Sequence, residues 1–304
     1  MDVKTLLLTD LASQAALGWP VSRQEVRVWA LSGVERVRFA NGETLIFKAA
    51  REPFTAEAKV LWHVHRRGVP VPYLLTSAIR GGMLGMLLED LGDPVRDVTL
   101  ADGVDAAVAV HKVDHIDGLA VLDREALAAL PSQAITSLQD LRAEGRWTDS
   151  DLDRPLSLLA NEADRLASGA DIPPFSLCHS EFHPTSLHIG VNGWRLMDWA
   201  RAFTGPGLLD LASWRGTQAW ADPISLKRMI SAYVQAGGAA EASYHRAGLP
   251  PEYWALGWHR LWIIAWYLEQ ATKWMPDRQQ DEFAAKVVRR HLDEAMTFLW
   301  VRTL

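Results

Sequence analysis

Asn41-Gly42 falls between two runs of alternating apolar and polar residues, RVRFA (36–40) and TLIFKAA (44–50). An Asn-Gly step in that setting is the strongest short-range signal for a β-hairpin, because both residues tolerate the positive φ angles that such turns need. VRVWAL (26–31) comes before it as a further extended run, so three antiparallel strands are expected. FTAEAKVLWHVHRR (54–67) then carries helical spacing and stops at Gly68. VPVPYLL continues as extended chain, and GGMLGMLLEDL (81–91) reads as a buried hairpin or strand pair. A short helix within residues 1–18, ended by Gly18-Trp19-Pro20, precedes all of these.

The texture changes near Asp90–Asp93. Residues 101–168 are rich in Ala and Leu at helical spacing, residues 175–200 return to short strands and turns, and from Leu208 the pattern is helical again. The expected class is therefore α+β, with a small β-rich N-lobe (1–92) and a larger, mainly helical C-lobe (93–304).

Lys plus Arg number 31 and Asp plus Glu 37, a net charge of −6. That balance argues against a nucleic-acid protein held by a basic face. A single cysteine, Cys178, excludes an intrachain disulfide and a cysteine-rich zinc site. The longest apolar runs, MLGMLL and LWIIAWYL, are too short to span a bilayer. MDVKTLLLTDLASQ does not read as a secretory signal, so no membrane partner and a cytoplasmic location are expected.

The chemistry concentrates in CHSEFHPTSLHIG, where thirteen residues hold three histidines and a glutamate. His179, Glu181 and His183 alternate, and on a strand they would share one face. Two histidines and a carboxylate can hold non-haem iron, although Pro184 interrupts such a strand. A second reading is phosphoryl transfer, which depends on positioning and charge neutralisation. It needs a cation near the nucleotide phosphates, and Lys48 ends a strand. Glu57, on the next helix, could hold that lysine. A carboxylate must carry Mg²⁺, and Asp198 follows the hydrophobic strand Trp194–Met197. A base must take the acceptor's proton, and Glu181 is the candidate. No Walker A motif or G-x-G-x-x-G is present; Ser32-Gly33 offers a short turn instead.

The ordered pieces are His179-x-Glu181-x-His183-Pro184, Ser186, Met197-Asp198-Trp199 and Asp210-Leu211-Ala212. Lys48, Glu57 and Gly-Val-Pro-Val-Pro (68–72) lie upstream. Together they resemble the aminoglycoside phosphotransferase and choline kinase-like family, relatives of the protein kinases. The resemblance implies a two-lobed protein kinase-like fold. It implies ATP or GTP beside Lys48, Glu57, Ser32 and the segment Glu89–Leu91, with Glu89 and Leu91 at the nucleotide edge. It implies Mg²⁺ on Asp198 and Ser186, catalysis by Glu181 with His183, and a loop ordered by His179 and Asp210. The family's loop runs His-Gly-Asp-x-His-Pro-x-Asn. Here Ser180, Glu181 and Ser186 replace the glycine, the aspartate and the asparagine. The reading is an active small-molecule kinase, or a kinase-like binding module that has lost turnover.

Trp254, Trp258, Trp262 and Trp266 recur every four residues. On a helix that row drifts by about 40° per step. It is either a core-facing stripe or an aromatic wall for the acceptor, with Trp258, Trp262, Trp266 and Glu269 as the candidate lining. Carboxylates in this stretch are few: Glu252, Glu269, Asp277, Asp281 and Glu282. Polycationic aminoglycosides want more. The expected partner is a small molecule bearing a hydroxyl, an antibiotic or secondary metabolite; choline or another amino alcohol is the alternative.

Overall fold

The computed structural model describes residues 2–274 and 278–301. The chain divides into two compact units, residues 1–102 with 185–202, and residues 103–184 with 203–304. Each has its own architecture.

The first unit opens with α1 (Val3–Gln14), whose first turn is capped by the Asp2 carboxylate accepting from Thr5 N–H at 2.8 Å. There follow β1 (Pro20–Val28), β2 (Ser32–Phe39), β3 (Thr44–Arg51), α2 (Glu57–Arg66), β4 (Leu74–Arg80) and β5 (Met83–Glu89). The strands form one antiparallel sheet in the order β1-β2-β3-β5-β4. Leu7, Leu8 and Leu11 of α1 bury against Val37, Phe39, Phe47 and Leu87 of the sheet. Gly85 permits the close approach: a Cβ there would lie 3.2 Å from the Leu11 side chain and 3.4 Å from Leu7.

The Asn41-Gly42 hairpin forms with Gly42 at φ 91° and Arg38 opposite Thr44. The first strand differs from expectation. It ends at Val28, and Trp29–Leu31 form a turn closed by Trp29 N–H donating to Ser32 O at 3.0 Å. As an edge strand with exposed side chains and a bulge between Glu25 and Arg27, β1 has no buried face to write an apolar pattern into its sequence.

In the second unit, α3 (Leu100–Val110) leads into α4 (Arg124–Ala143) and α5 (Asp153–Leu166). α4 buries Leu127, Leu130, Ala134, Leu138 and Leu141, and α5 buries Leu156, Leu159, Ala163 and Leu166. Both are one-sided stripes at three- and four-residue spacing. β6 (Phe175–Cys178) pairs antiparallel with β9 (Phe203–Pro206). Then come α6 (Leu208–Ser213), α7 (Pro223–Gln235), α8 (Pro251–Glu269) and α9 (Asp281–Phe298). α8 is buried on almost every side as far as Ile264, as an interior helix must be when it is apolar all round. It is tied to α9 by a buried ion pair, Arg260 Nε donating to Glu294 Oε2 at 2.6 Å. Between β6 and β9 the chain contributes the hairpin β7 (Leu187–Gly190) and β8 (Gly193–Leu196) to the first unit. No described helix is long and apolar enough to cross a membrane.

Candidate active site

Lys48 sits mid-sheet, opposite Val34 on β2 and Met86 on β5, and is 7% exposed. A buried ammonium needs partners. Glu57, the first residue of α2, supplies one, with Nζ to Oε1 at 2.7 Å. Asp198 supplies the second at 2.6 Å. Burial pulls the Lys48 pKa down, but the two carboxylates outweigh it and hold it above the ordinary lysine value. Glu57 is pushed up by burial, against the pull of Lys48. Its Oε1 also accepts the Trp199 backbone N–H at 3.2 Å, which fixes the residue next to Asp198.

Asp198 follows β8 in the left-handed region, at φ 67°. That conformation is strained for a non-glycine residue and is tolerated best by Asn and Asp. Its side chain is 39% exposed. Ser186 ends a single 3₁₀ turn, Pro184–Ser186, and its carbonyl accepts the N–H of Met197, Asp198's neighbour, at 2.8 Å. Both side chains offer only oxygen, and the Asp198 carboxylate keeps open surface for water and phosphate. Those donors fit Mg²⁺, which takes one or two protein oxygens and fills its remaining positions with water and substrate.

In the second unit, β6 delivers Cys178 to the start of the loop. Asp210, in the first turn of α6, accepts the backbone N–H of His179 at 2.7 Å and of Ser180 at 2.8 Å. These two charge-assisted bonds are buried and therefore stiff. His111 Nε2 lies 3.5 Å from the same carboxylate, and its Nδ1 is 3.2 Å from Tyr233 Oη. Beyond Glu181, the Phe182 carbonyl accepts from Ser213 Oγ at 2.8 Å. The Phe182 ring packs on Trp214 at 5.6 Å, and His179 meets it edge-on at 6.2 Å. Gly103 makes room for that tryptophan, since a Cβ there would fall 2.4 Å from its ring. Glu181 is half-buried, with the backbone fixed on both sides, and its carbonyl accepts His183 N–H at 3.1 Å.

The phosphotransferase enzyme family matches residues 21–249. The chain belongs to that family. No curated protein matches it in sequence. Among solved structures it is similar to the choline kinase LicA of Streptococcus pneumoniae, at 11% identity and TM-score 0.65, covering 95% of this chain and 98% of that one. It is similar to the macrolide 2'-phosphotransferase MphH of Brachybacterium faecium, at 16% identity and TM-score 0.60, covering 94% and 97%. A ternary complex of APH(2")-IIa with streptomycin and ATP matches at 12% identity and TM-score 0.61, covering 97% and 98%. The fold of this phosphotransferase is thus the α+β, protein kinase-like fold, with a five-stranded sheet in one unit and helices in the other.

Other residues singled out in the sequence lie as follows. Ser32 opens β2 and closes the β1–β2 turn. Glu89 ends β5, its carboxylate accepting Tyr73 N–H at 3.1 Å, and Leu91 is half-buried just beyond it. Trp258 departs from the aromatic-wall expectation: like Trp254 it is fully buried, and both indoles donate to the Leu166 carbonyl, at 3.1 and 2.8 Å. Side chains with no open surface cannot line an acceptor pocket. Trp262 and Trp266 remain half-buried. Glu269 pairs with Lys273 one turn on, at 2.9 Å. Asp277 lies outside the described residues.

Among the described residues, the donors clustered closely enough for a metal are His111, Cys178 and Asp210, and not His179, Glu181 and His183. Iron bound by the latter set therefore has no support. The former set is committed elsewhere. Burial pushes the Cys178 thiol well up, and it donates to the Gly205 carbonyl, while Asp210 holds the loop. Ser213, Trp214 and His111 carried no sequence signal, save that Ser213 stands three residues after Asp210 and so shares its helix face.

Proposed function

We propose that this phosphotransferase moves the γ-phosphoryl group of ATP or GTP to a hydroxyl of a small acceptor, an antibiotic or secondary metabolite. The observation that carries the reading is the buried Lys48, held by Glu57 and Asp198. Lys48 offers a fixed positive charge to the nucleotide phosphates, and Glu57 stops it from swinging. Ser32, Glu89 and Leu91 border the nucleotide. Asp198 and Ser186 would hold Mg²⁺, which neutralises phosphate charge when bound. Glu181 orients the acceptor hydroxyl and takes its proton as the oxygen bonds to phosphorus and the bond to the departing ADP or GDP breaks. His183, next in the loop, supports the phosphoryl group, while His179 and Asp210 keep the loop in one conformation.

The acceptor surface favours a flat, weakly charged molecule. Trp262 and Trp266 are half-open, and Glu269 is neutralised by Lys273. An amino alcohol such as choline would use the same indoles by cation–π contact. The test is ADP or GDP release with Mg²⁺ and a panel of macrolides, aminoglycosides, other hydroxylated metabolites, choline and ethanolamine. Acceptor-dependent release that Glu181→Gln abolishes is the expected result. Mg²⁺-nucleotide binding with no release on any acceptor would leave the binding-module reading in its place.

A further inference from the structure

Ser180 is a non-glycine residue at φ 75°. In that region the Cβ crowds the following carbonyl oxygen, so any side chain destabilises the fold relative to glycine. The backbone there has no use for a side chain, because the Ser180 N–H is already taken by Asp210. What the side chain adds is one hydroxyl, 5% exposed as a residue, which accepts from the Trp262 indole N–H at 3.4 Å. Trp262 lies on α8, and its ring packs 5.3 Å from Phe203. Phe203 in turn pairs with Cys178, the last residue before the loop. Trp262 therefore reaches the loop twice, once through Ser180 and once through the strand pair that feeds it. Ser180 immediately precedes Glu181.

We infer that Trp262 is a positioning residue for Glu181, acting through the Ser180 hydroxyl, and that the strained serine trades stability for a fixed carboxylate. The inference rests on the phosphotransferase reading of Glu181. A carboxylate set one methylene further out than aspartate has more freedom to stray, and a misplacement of about 1 Å can cost up to ~10²-fold in rate. Fixing the preceding residue restrains that freedom.

The experiment compares wild type, Ser180→Gly, Trp262→Phe and the double variant. Each is assayed with Mg²⁺-ATP and Mg²⁺-GTP and with the panel acceptor that wild type uses fastest. Ser180→Gly relieves the strain and Trp262→Phe keeps an aromatic ring against Phe203, so both are expected to fold. Expected are a higher Tm for Ser180→Gly than for wild type, and a kcat about fivefold lower in each single variant. The nucleotide KM stays unchanged, and the double variant loses no more than either single one. A Ser180→Gly enzyme as fast as wild type overturns the inference and leaves the phosphotransferase reading standing. So do losses that simply multiply in the double variant. A wild type that turns over no nucleotide with any acceptor contradicts the phosphotransferase reading, and the inference falls with it.

Discussion

At the scale of single residues, the proposed chemistry depends on Glu181, a carboxylate whose backbone is gripped from both sides. Asp210 holds the two residues before Glu181, and Ser213 holds the one after it. Glu181→Gln keeps the shape and removes the proposed base. Its turnover is expected to fall by about 10²- to 10⁴-fold while Mg²⁺-nucleotide binding persists, which is the signature of a lost proton acceptor. Steady-state kinetics beside a nucleotide-binding titration would show it. Equal loss of binding and turnover would instead mark Glu181 as part of the nucleotide site. The pairing of Lys48 with Glu57 was legible in the sequence, because the two stand nine residues apart across a short turn, although Lys48 sits inside β3 and not at its end as its place in the apolar run suggested. The contact between Ser180 and Trp262 was not, because it spans 82 residues and no pattern records it.

At the scale of elements, α8 is a structural spine whose last turns alone leave tryptophan open. Trp258→Ala removes a fully buried indole and its hydrogen bond to Leu166, and is expected to destabilise the fold by about 3–5 kcal/mol. Denaturant unfolding measures that loss, and the acceptor KM of the folded fraction should not change. His291 of α9 gives a second prediction. It is fully buried beside Arg260 and Glu294, and burial lowers its pKa from 6.5. The unfolded chain then binds a proton that the folded chain resists, so stability falls as pH drops below 6.5. His291→Gln is expected to flatten the fall in Tm between pH 7 and pH 5.5 relative to wild type. An unchanged slope would show that His291 does not titrate on unfolding. The helices were legible because their buried stripes, such as Leu127 to Leu141, repeat at helical spacing. The bounds of edge strand β1, and edge strand β4 as a strand, were not, because half or more of each is exposed and burial imposes no alternation.

For the molecule as a whole, family membership rests on the match over residues 21–249, and in the sequence it was legible only from several motifs in the right order, no single one of which would carry it. The shared fold says nothing about which acceptor is used, and in the proposed function that question passes to the residues around Trp262 and Trp266. The proposed function stands or falls on whether Lys48, Glu57 and Asp198 form a working Mg²⁺-nucleotide site. Thermal stability with ATP or GTP, each with and without Mg²⁺, tests it most directly. The control is Asp198→Asn, which keeps the tolerance for φ 67°. At 100 times Kd, binding stabilises the folded state by about 2.7 kcal/mol. The expected result is a rise in Tm that needs Mg²⁺ and disappears in Asp198→Asn. No shift with either nucleotide, or a shift of equal size in Asp198→Asn, would contradict it.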